Sequence, residues 1–297
     1  MYSYYIYGLD IKSEVKLYQL EQYDSSKEDV FIRYGEVDEG IKQLIGQGIN
    51  SSMARTSVWF RNDIGIFVIS DGNKILIEPY QEADDNDIAS FVLGWCIAFL
   101  FQQRNMLAIH CSALEMHNQA VFIAGSSGAG KSTLTLALLK AGYRYLADDI
   151  AMVDLQDDLM IQPAFPQQKV CRNVAENMES DSLFYINEKK DKFAFINNED
   201  FCPEPRKLTT IFMIDRYDGG ELIFERTTGL AKWNGVARNL FLLDAYMSLD
   251  FPPGERERCL ELAGKVEMYT IKRPDGKDTV DEICNKIIDI VKQNATT

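Results

Sequence analysis

Residues 125–132 read Gly-Ser-Ser-Gly-Ala-Gly-Lys-Ser. They stand between an uninterrupted apolar run, Ala120 to Ala124, and an apolar segment, Ser132 to Ala141, that closes on Gly142. The flanks predict a buried strand entering the loop and a helix leaving it, with Gly142 at the helix C′ position. Glycines let successive backbone N–H groups curve around an anion without β-carbon clashes, and the helix start aims its positive end at the same anion. The spacing fits G-x-x-x-x-G-K-[ST], a nucleotide phosphate cradle. Gly125, Ser126, Ser127, Gly128, Ala129, Gly130, Lys131, Ser132 and Thr133 are therefore candidate nucleotide contacts. Lys131 is placed to reach the β- and γ-phosphates of ATP, and the Ser132 hydroxyl to bind Mg²⁺.

The loop's neighbours follow from pairing rules. Met106 to Met116 predicts a strand with one polar interruption, and His117-Asn118 a turn. If that turn is a two-residue hairpin, His110 stands opposite Gly125. An imidazole there hydrogen-bonds a terminal phosphate or tunes a nearby carboxylate; otherwise it is a satisfied side chain in a half-buried strand. Tyr143 to Ala147 predicts a third strand, reached by a right-handed crossover, so Asp148 and Asp149 end on the loop's edge of the sheet. One carboxylate can hold Mg²⁺ and the other accept the proton of an attacking hydroxyl. The alternative is a pair of turn aspartates that cap backbone.

Elsewhere the pattern is structural. Val30 to Tyr34, Ser57 to Phe60, Ile64 to Ser70 and Lys74 to Glu78 predict strands, with a hairpin turn at Asp71-Gly72-Asn73. Asp84 to Asp87 caps a helix running to about Gln103. This divides the chain into a β-rich module, residues 1–80, and a domain, 81–297, that holds the loop. Gln156 to Arg206 is polar and proline-broken, which suits a lid or an ordinary surface excursion. Further on, Leu208 to Ile214 and Glu221 to Glu225 predict a hairpin. Helices are expected from Thr228 to Ser248 and from Pro253 to Ala263, and a strand at Val266 to Ile271. The last helix starts at a capping box, Thr279 to Glu282.

Forty-five acidic against thirty-one basic side chains leave a charge of -14. A broad nucleic-acid or anionic-membrane surface is excluded, because both need Lys and Arg to match phosphates. Phosphate must then be bound by a short motif. Arg172, Arg238, Arg256 and Arg258 are expected to pair with nearby carboxylates. Six scattered cysteines and two histidines point to buried thiols and to no metal site beyond nucleotide-bound Mg²⁺. The tyrosine-rich start has no basic n-region, and the longest apolar run, Phe91 to Phe101, is too short to span a bilayer. The expectation is a cytoplasmic, reduced protein with no membrane partner.

Around His110, Gly125 to Thr133 and Asp148-Asp149, the segment from Ala108-Ile-His-Cys-Ser-Ala-Leu through Leu146-Ala-Asp-Asp-Ile resembles the HPr kinase/phosphorylase family. The resemblance implies an α/β fold: a mixed-sheet kinase core of HPr kinase type, shared with phosphoenolpyruvate carboxykinases, with a small N-terminal β-rich module. It also implies ATP and Mg²⁺ as cofactors, His110 assisting at the phosphate, and Lys131 binding phosphates. Ser132 and Asp149 would bind Mg²⁺, with Asp148 as base. Homo-oligomer formation is left open. The family's Glu-x-Arg-Gly-x-Gly signature is absent; the stretch here is Lys169-Val-Cys-Arg-Asn-Val-Ala-Glu176, where Glu176 is read as a solvated loop residue or, alternatively, as the substitute acid. That departure bears on the phosphorolysis reaction and the phosphocarrier substrate. The opening Tyr7-Gly-Leu-Asp-Ile-Lys-Ser-Glu and the layout look more like divergent relatives, including kinases of lasso-peptide precursors.

The leading expectation is an ATP-dependent kinase acting on a serine-type hydroxyl of a peptide or protein partner. A small-molecule kinase and a non-catalytic nucleotide-binding regulator are the alternatives. The acidic excess favours a basic acceptor peptide.

Overall fold

The computed structural model describes residues 1–171, 183–187, 192–249 and 251–295; of 169–171, 183–187 and 192 it describes the backbone alone. Arg172 and Glu176 lie outside the described residues.

The first seven strands are β1 (Tyr2–Ile6), β2 (Leu9–Ser13), β3 (Val30–Tyr34), β4 (Ser51–Ala54), β5 (Ser57–Arg61), β6 (Gly65–Ser70) and β7 (Lys74–Pro79). They form one sheet in the order β1-β2-β3-β7-β6-β5-β4. The four strands expected here are present, and β6 pairs with β7 around the Asp71–Asn73 turn. Strands β1, β2 and β4 come in addition to them. A turn at Tyr7-Gly8, both with positive φ, joins β1 to β2. Asp84 caps the following helix by accepting from Asn86 N–H. That helix runs as α2 (Asp85–Phe91), a π-helical turn (Val92–Cys96) and α3 (Ile97–Gln103), and it reaches Gln103 as expected. Phe91 packs on Phe60 and Phe67 and Phe99 on Phe60, seating the helix on the first sheet.

The main path of the second sheet is built from β9 (Cys111–Met116), β10 (Gln119–Gly125), β11 (Arg144–Ala147), β17 (Arg206–Tyr217), β18 (Ile223–Arg226) and β19 (Glu267–Pro274), and a short strand at Met160–Ile161 pairs with β17 off that path. Their order is β11-β9-β10-β17-β19-β18. β10, β17 and β19 are mutually parallel, while β9 and β18 run against their neighbours, so the sheet is mixed and the fold is α/β. The apolar run of β10 is explained by burial on both faces. Ala120, Phe122 and Ala124 join the core shared with the first sheet, and Val121 and Ile123 join a second core. That second core is filled by Leu134 and Leu138 of α4 (Lys131–Lys140) and by Ile283, Ile287 and Val291 of the last helix, Val280–Ala295.

Several expectations need correction. Met106 to Met116 is two strands, because the chain changes sheets at His110. β8 (Leu107–Ile109) pairs with β12 (Ala151–Val153), and only β9 enters the main sheet. The expected β17–β18 hairpin does not form. β19 lies between them because its Met268 and Ile271 are fully buried, which leaves the half-exposed β18 for the edge. The single helix expected over Thr228 to Ser248 breaks into Leu230–Ala237 and Leu243–Leu249. At the break, Leu240 bridges Ile109, and Phe241 N–H donates to Ala108 O at 2.8 Å. The capping box is not made: Thr279 Oγ1 has no partner among the described residues, and Val280 N–H goes to Asp278 Oδ1. The stretch expected to be irregular carries four short strands: β13 (Met160–Ile161), β14 (Gln167–Cys171), β15 (Leu183–Asn187) and β16 (Lys192–Ile196). Their brevity hid them among the prolines.

Candidate active site

The glycine loop leaves β10 at the carboxyl edge of the second sheet, where open α/β folds bind ligands. Gly125 has φ 145, and a β-carbon there would lie 1.9 Å from Ile214 O of β17, so no other residue fits. Ser126, Ser127 and Gly128 are exposed, whereas Ala129 is buried and pegs the loop to the core. Gly130 caps α4 with φ 102 and offers no side-chain cap, leaving the first-turn amides of that helix directed out of the loop. Lys131 folds across the loop, its Nζ donating to Gly125 O at 2.7 Å and Ser126 O at 3.3 Å.

The hairpin register holds from Met116↔Gln119 to Cys111↔Ala124, which brings His110 level with Gly125. The pair is bridged rather than bonded directly. His110 N–H donates to Asn239 O at 2.7 Å, and Gly125 N–H donates to Asn239 Oδ1 at 2.9 Å. Asn239 Nδ2 in turn donates to Gly235 O at 2.8 Å, and the residue is 4% exposed. Sequence reasoning missed Asn239, since nothing marks a helix break in advance. Its replacement by Ala strands Gly125 N–H and Gly235 O in the interior. Asn239→Ala is expected to cost about 2 kcal/mol, read as a lower midpoint in denaturant unfolding, with conformational loosening of the loop.

Asp148 and Asp149 follow β11, which runs parallel to β10 with β9 between them, so both reach the loop's edge as expected. Asp148 Oδ1 accepts from the buried Ser112 hydroxyl at 2.7 Å. Asp149 has φ 74 and turns its backbone O to His110 Nδ1 at 3.0 Å, with Oδ1 at 3.5 Å from the same nitrogen. A carbonyl only accepts, so Nδ1 carries a proton and donates it to that oxygen. Beneath them lies Tyr7, whose hydroxyl donates to Ile150 O at 3.1 Å. Burial first, then Asp149, Cys111 and Asp148, raise the Tyr7 pKa, so it remains a neutral donor. The first turn of the chain thus shapes the floor of the aspartate pair. Burial and Asp148 likewise push the Cys111 thiol well up, which makes it inert. Cys96, Cys202, Cys259 and Cys284 are also buried and free.

Two more groups flank the loop. Asp215, at the end of β17, accepts from Ser126 Oγ at 3.1 Å and pairs with Arg238. The apolar run Ile211 to Ile214 ending in an acid was a readable signal for it. On the β19 side the Arg273 guanidinium lies against Gly130, with Cζ 3.3 Å from where a β-carbon would sit. Arg273 Nε is buried without a hydrogen-bond partner among the described residues. Arg258 pairs with Glu255 as expected, and Arg256 lies over the Phe251 ring. Gly125 to Ser127, His110, Asp149, Asp215 and Arg238 share one cleft of about 870 Å³, bounded across from the loop by residues 62–64 and by α2 and its π-turn. Among the described residues no helix is long and apolar enough to cross a membrane.

The class defined here is a mixed α/β fold with a glycine-rich strand–loop–helix at its carboxyl edge. No family model matches the chain. Curated relatives do. It is 34% identical over 118 residues to the HPr kinase/phosphorylase of Pediococcus pentosaceus, covering 35% of this chain and 37% of that one. Against the HPr kinase/phosphorylase of Lactobacillus gasseri it is 36% identical over 119 residues, 37% of each chain. With that of Chloroherpeton thalassium it shares 23% over 181 residues, covering 51% and 53%. The structure is also similar to the Hpr(Ser) kinase/phosphatase from Coxiella burnetii, at TM-score 0.31 and 12% identity over 63% of this chain and 95% of that one. The chain is HPr kinase-like in sequence and spans about a third to a half of the length of these curated relatives.

Proposed function

We propose that the protein is an ATP-dependent kinase that transfers the γ-phosphate to a serine-type hydroxyl of a peptide or protein. The observation that carries this reading is the convergence of the glycine loop, His110 and the Asp148–Asp149 pair on one sheet edge, seen together with relatives named as kinases. A regulator that only binds nucleotide needs the loop but not a hydrogen-bonded carboxylate pair beside it.

In this reading the loop amides and Lys131 hold the phosphates, and the start of α4 stabilises the charge that develops on transfer. Arg273 supplies a second cation on the opposite, β19 side of the loop from the aspartates. Asp148, held by Ser112, accepts the proton of the attacking hydroxyl. His110, anchored on the Asp149 backbone, keeps that turn in place and presents Nε2 to the site. The donor set fits Mg²⁺: Ser132 and Asp149 offer hard oxygens, and no three His, Cys, Asp or Glu side chains converge among the described residues to hold a metal unaided. Such a set suits an ion shared with phosphate oxygens, whose charge Mg²⁺ neutralises when bound. Residues 81–297 act as the kinase domain, backed by the module of residues 1–80. The specific acceptor suggested by resemblance is a ribosomal precursor peptide of the lasso type, in the cytoplasm.

The test is intact-mass measurement after incubation with Mg-ATP, a panel of serine-ending peptides and free serine. Gain of one phosphate on a peptide is the expected result. ATP left intact with every acceptor, while nucleotide binding is normal, would overturn the reading.

A further inference from the structure

The cleft runs outward from His110 along a file of half-buried rings. His110 and Phe241 centroids lie 6.3 Å apart, Phe241 and Trp95 6.0 Å, and Trp95 and Phe91 6.4 Å, and all four residues line the cavity. Trp95 is carried by the π-helical turn Val92–Cys96. Such turns are uncommon inside helices and occur frequently at functional sites, because the extra residue swings side chains out of α-register. Gly94, in the same turn, also lines the cavity.

Phe241, Trp95 and Phe91 are outside the phosphate machinery, which consists of the loop, Lys131, Arg273, His110 and the aspartates. The cleft of about 870 Å³ takes in the glycine loop as well as these rings, and lies near the top of the range for small-ligand pockets, roughly 300–1,000 Å³. The rim carries Asp63, Asp87 and Asp244. The only Lys or Arg among the described lining residues is Arg238, which is ion-paired with Asp215.

We infer that this cleft is an acceptor groove for a cationic peptide segment, with a large apolar side chain of the peptide seated on Trp95 and Phe241. The apolar anchor lies three or four residues from the accepting hydroxyl. Two ring-to-ring steps of about 6 Å separate His110 from Trp95, and an extended chain advances roughly 3.3–3.6 Å per residue. A flanking Lys or Arg faces the exposed Asp244 at the rim. The naming of a phosphorylated residue rests on the kinase reading above; the occupancy of the groove does not.

The experiment measures binding of short fluorescent peptides to the full chain in the presence of ADP and Mg²⁺, so that no transfer is required. One peptide carries Phe three residues from its Ser and Lys at its flank; a second replaces Phe by Ala, and a third replaces Lys by Glu. The wild type is expected to bind the first about tenfold tighter than either of the others. Trp95→Ala should remove about tenfold from the Phe peptide, with less than about a twofold change for the Ala peptide or for ADP. Trp95→Phe should restore most of the loss. Equal binding of the three peptides by the wild type overturns the groove, and so does equal weakening of the Phe and Ala peptides by Trp95→Ala. If Trp95→Ala does not fold, the wild-type peptide preference alone decides. Tight binding of the first peptide, with no phosphate gained by it once ADP is replaced by ATP, would leave the groove assigned and overturn the kinase reading instead.

Discussion

Asp148→Asn and Asp149→Asn are each expected to lower phosphoryl transfer by about 10²–10⁴-fold while nucleotide still binds. Both substitutions keep the size and most of the hydrogen bonding of the native side chain. The amide carbonyl introduced by Asp148→Asn can still accept from Ser112, and residue 149 holds His110 chiefly through its backbone oxygen. Loss of activity would therefore report lost charge or basicity, not a collapsed turn. The two variants separate the roles. Removing a proton acceptor lowers the rate at every Mg²⁺ concentration, whereas removing a metal-holding carboxylate raises the Mg²⁺ concentration needed for half-maximal rate. Asp148→Asn is expected to show the first pattern and Asp149→Asn the second. Initial rates over a Mg²⁺ series, with ADP affinity measured in parallel, distinguish them. Undiminished transfer in both variants would remove the aspartates from the chemistry.

What could be read in the sequence was what local rules determine. The strand–glycine loop–helix unit was legible because its glycines and flanks are contiguous, and the His110 register followed from one two-residue turn. Crossover chirality put Asp148 and Asp149 on the edge where they are found. The long-range features were illegible for a common reason. Asn239 works from a break between two helices, and that break is set by the bridge from Leu240 to Ile109, more than a hundred residues away in the chain. Arg273 reaches Gly130 only because β19 inserts beside β17, where a local hairpin with β18 was the simpler expectation. Tyr7 belongs to a β-turn that looked purely structural, yet its hydroxyl lies under the aspartates through Ile150. Local pattern found the loop, and tertiary pairing supplied most of what surrounds it.

Gly125→Ala is expected to abolish nucleotide binding and to cost about 3 kcal/mol of stability, the sum of a backbone clash and a strained φ. The clash is with Ile214 O, 1.9 Å from the added carbon, and that oxygen is fixed because Ile214 pairs with both β10 and β19 in the centre of the sheet. No side-chain rotation relieves it, so β10 and β17 must part where Asn239 pins them to His110. Gly128→Ala is the control, since φ is 77 there but nothing lies within 4 Å of the added carbon. It carries only conformational strain, about 1 kcal/mol, and should keep a folded loop with weakened phosphate affinity. Thermal unfolding and ADP titration of the two variants together test whether the loop is set by packing against β17 or only by glycine's backbone freedom. Equal effects would mean that the close approach to Ile214 contributes nothing, and that flexibility alone explains both positions.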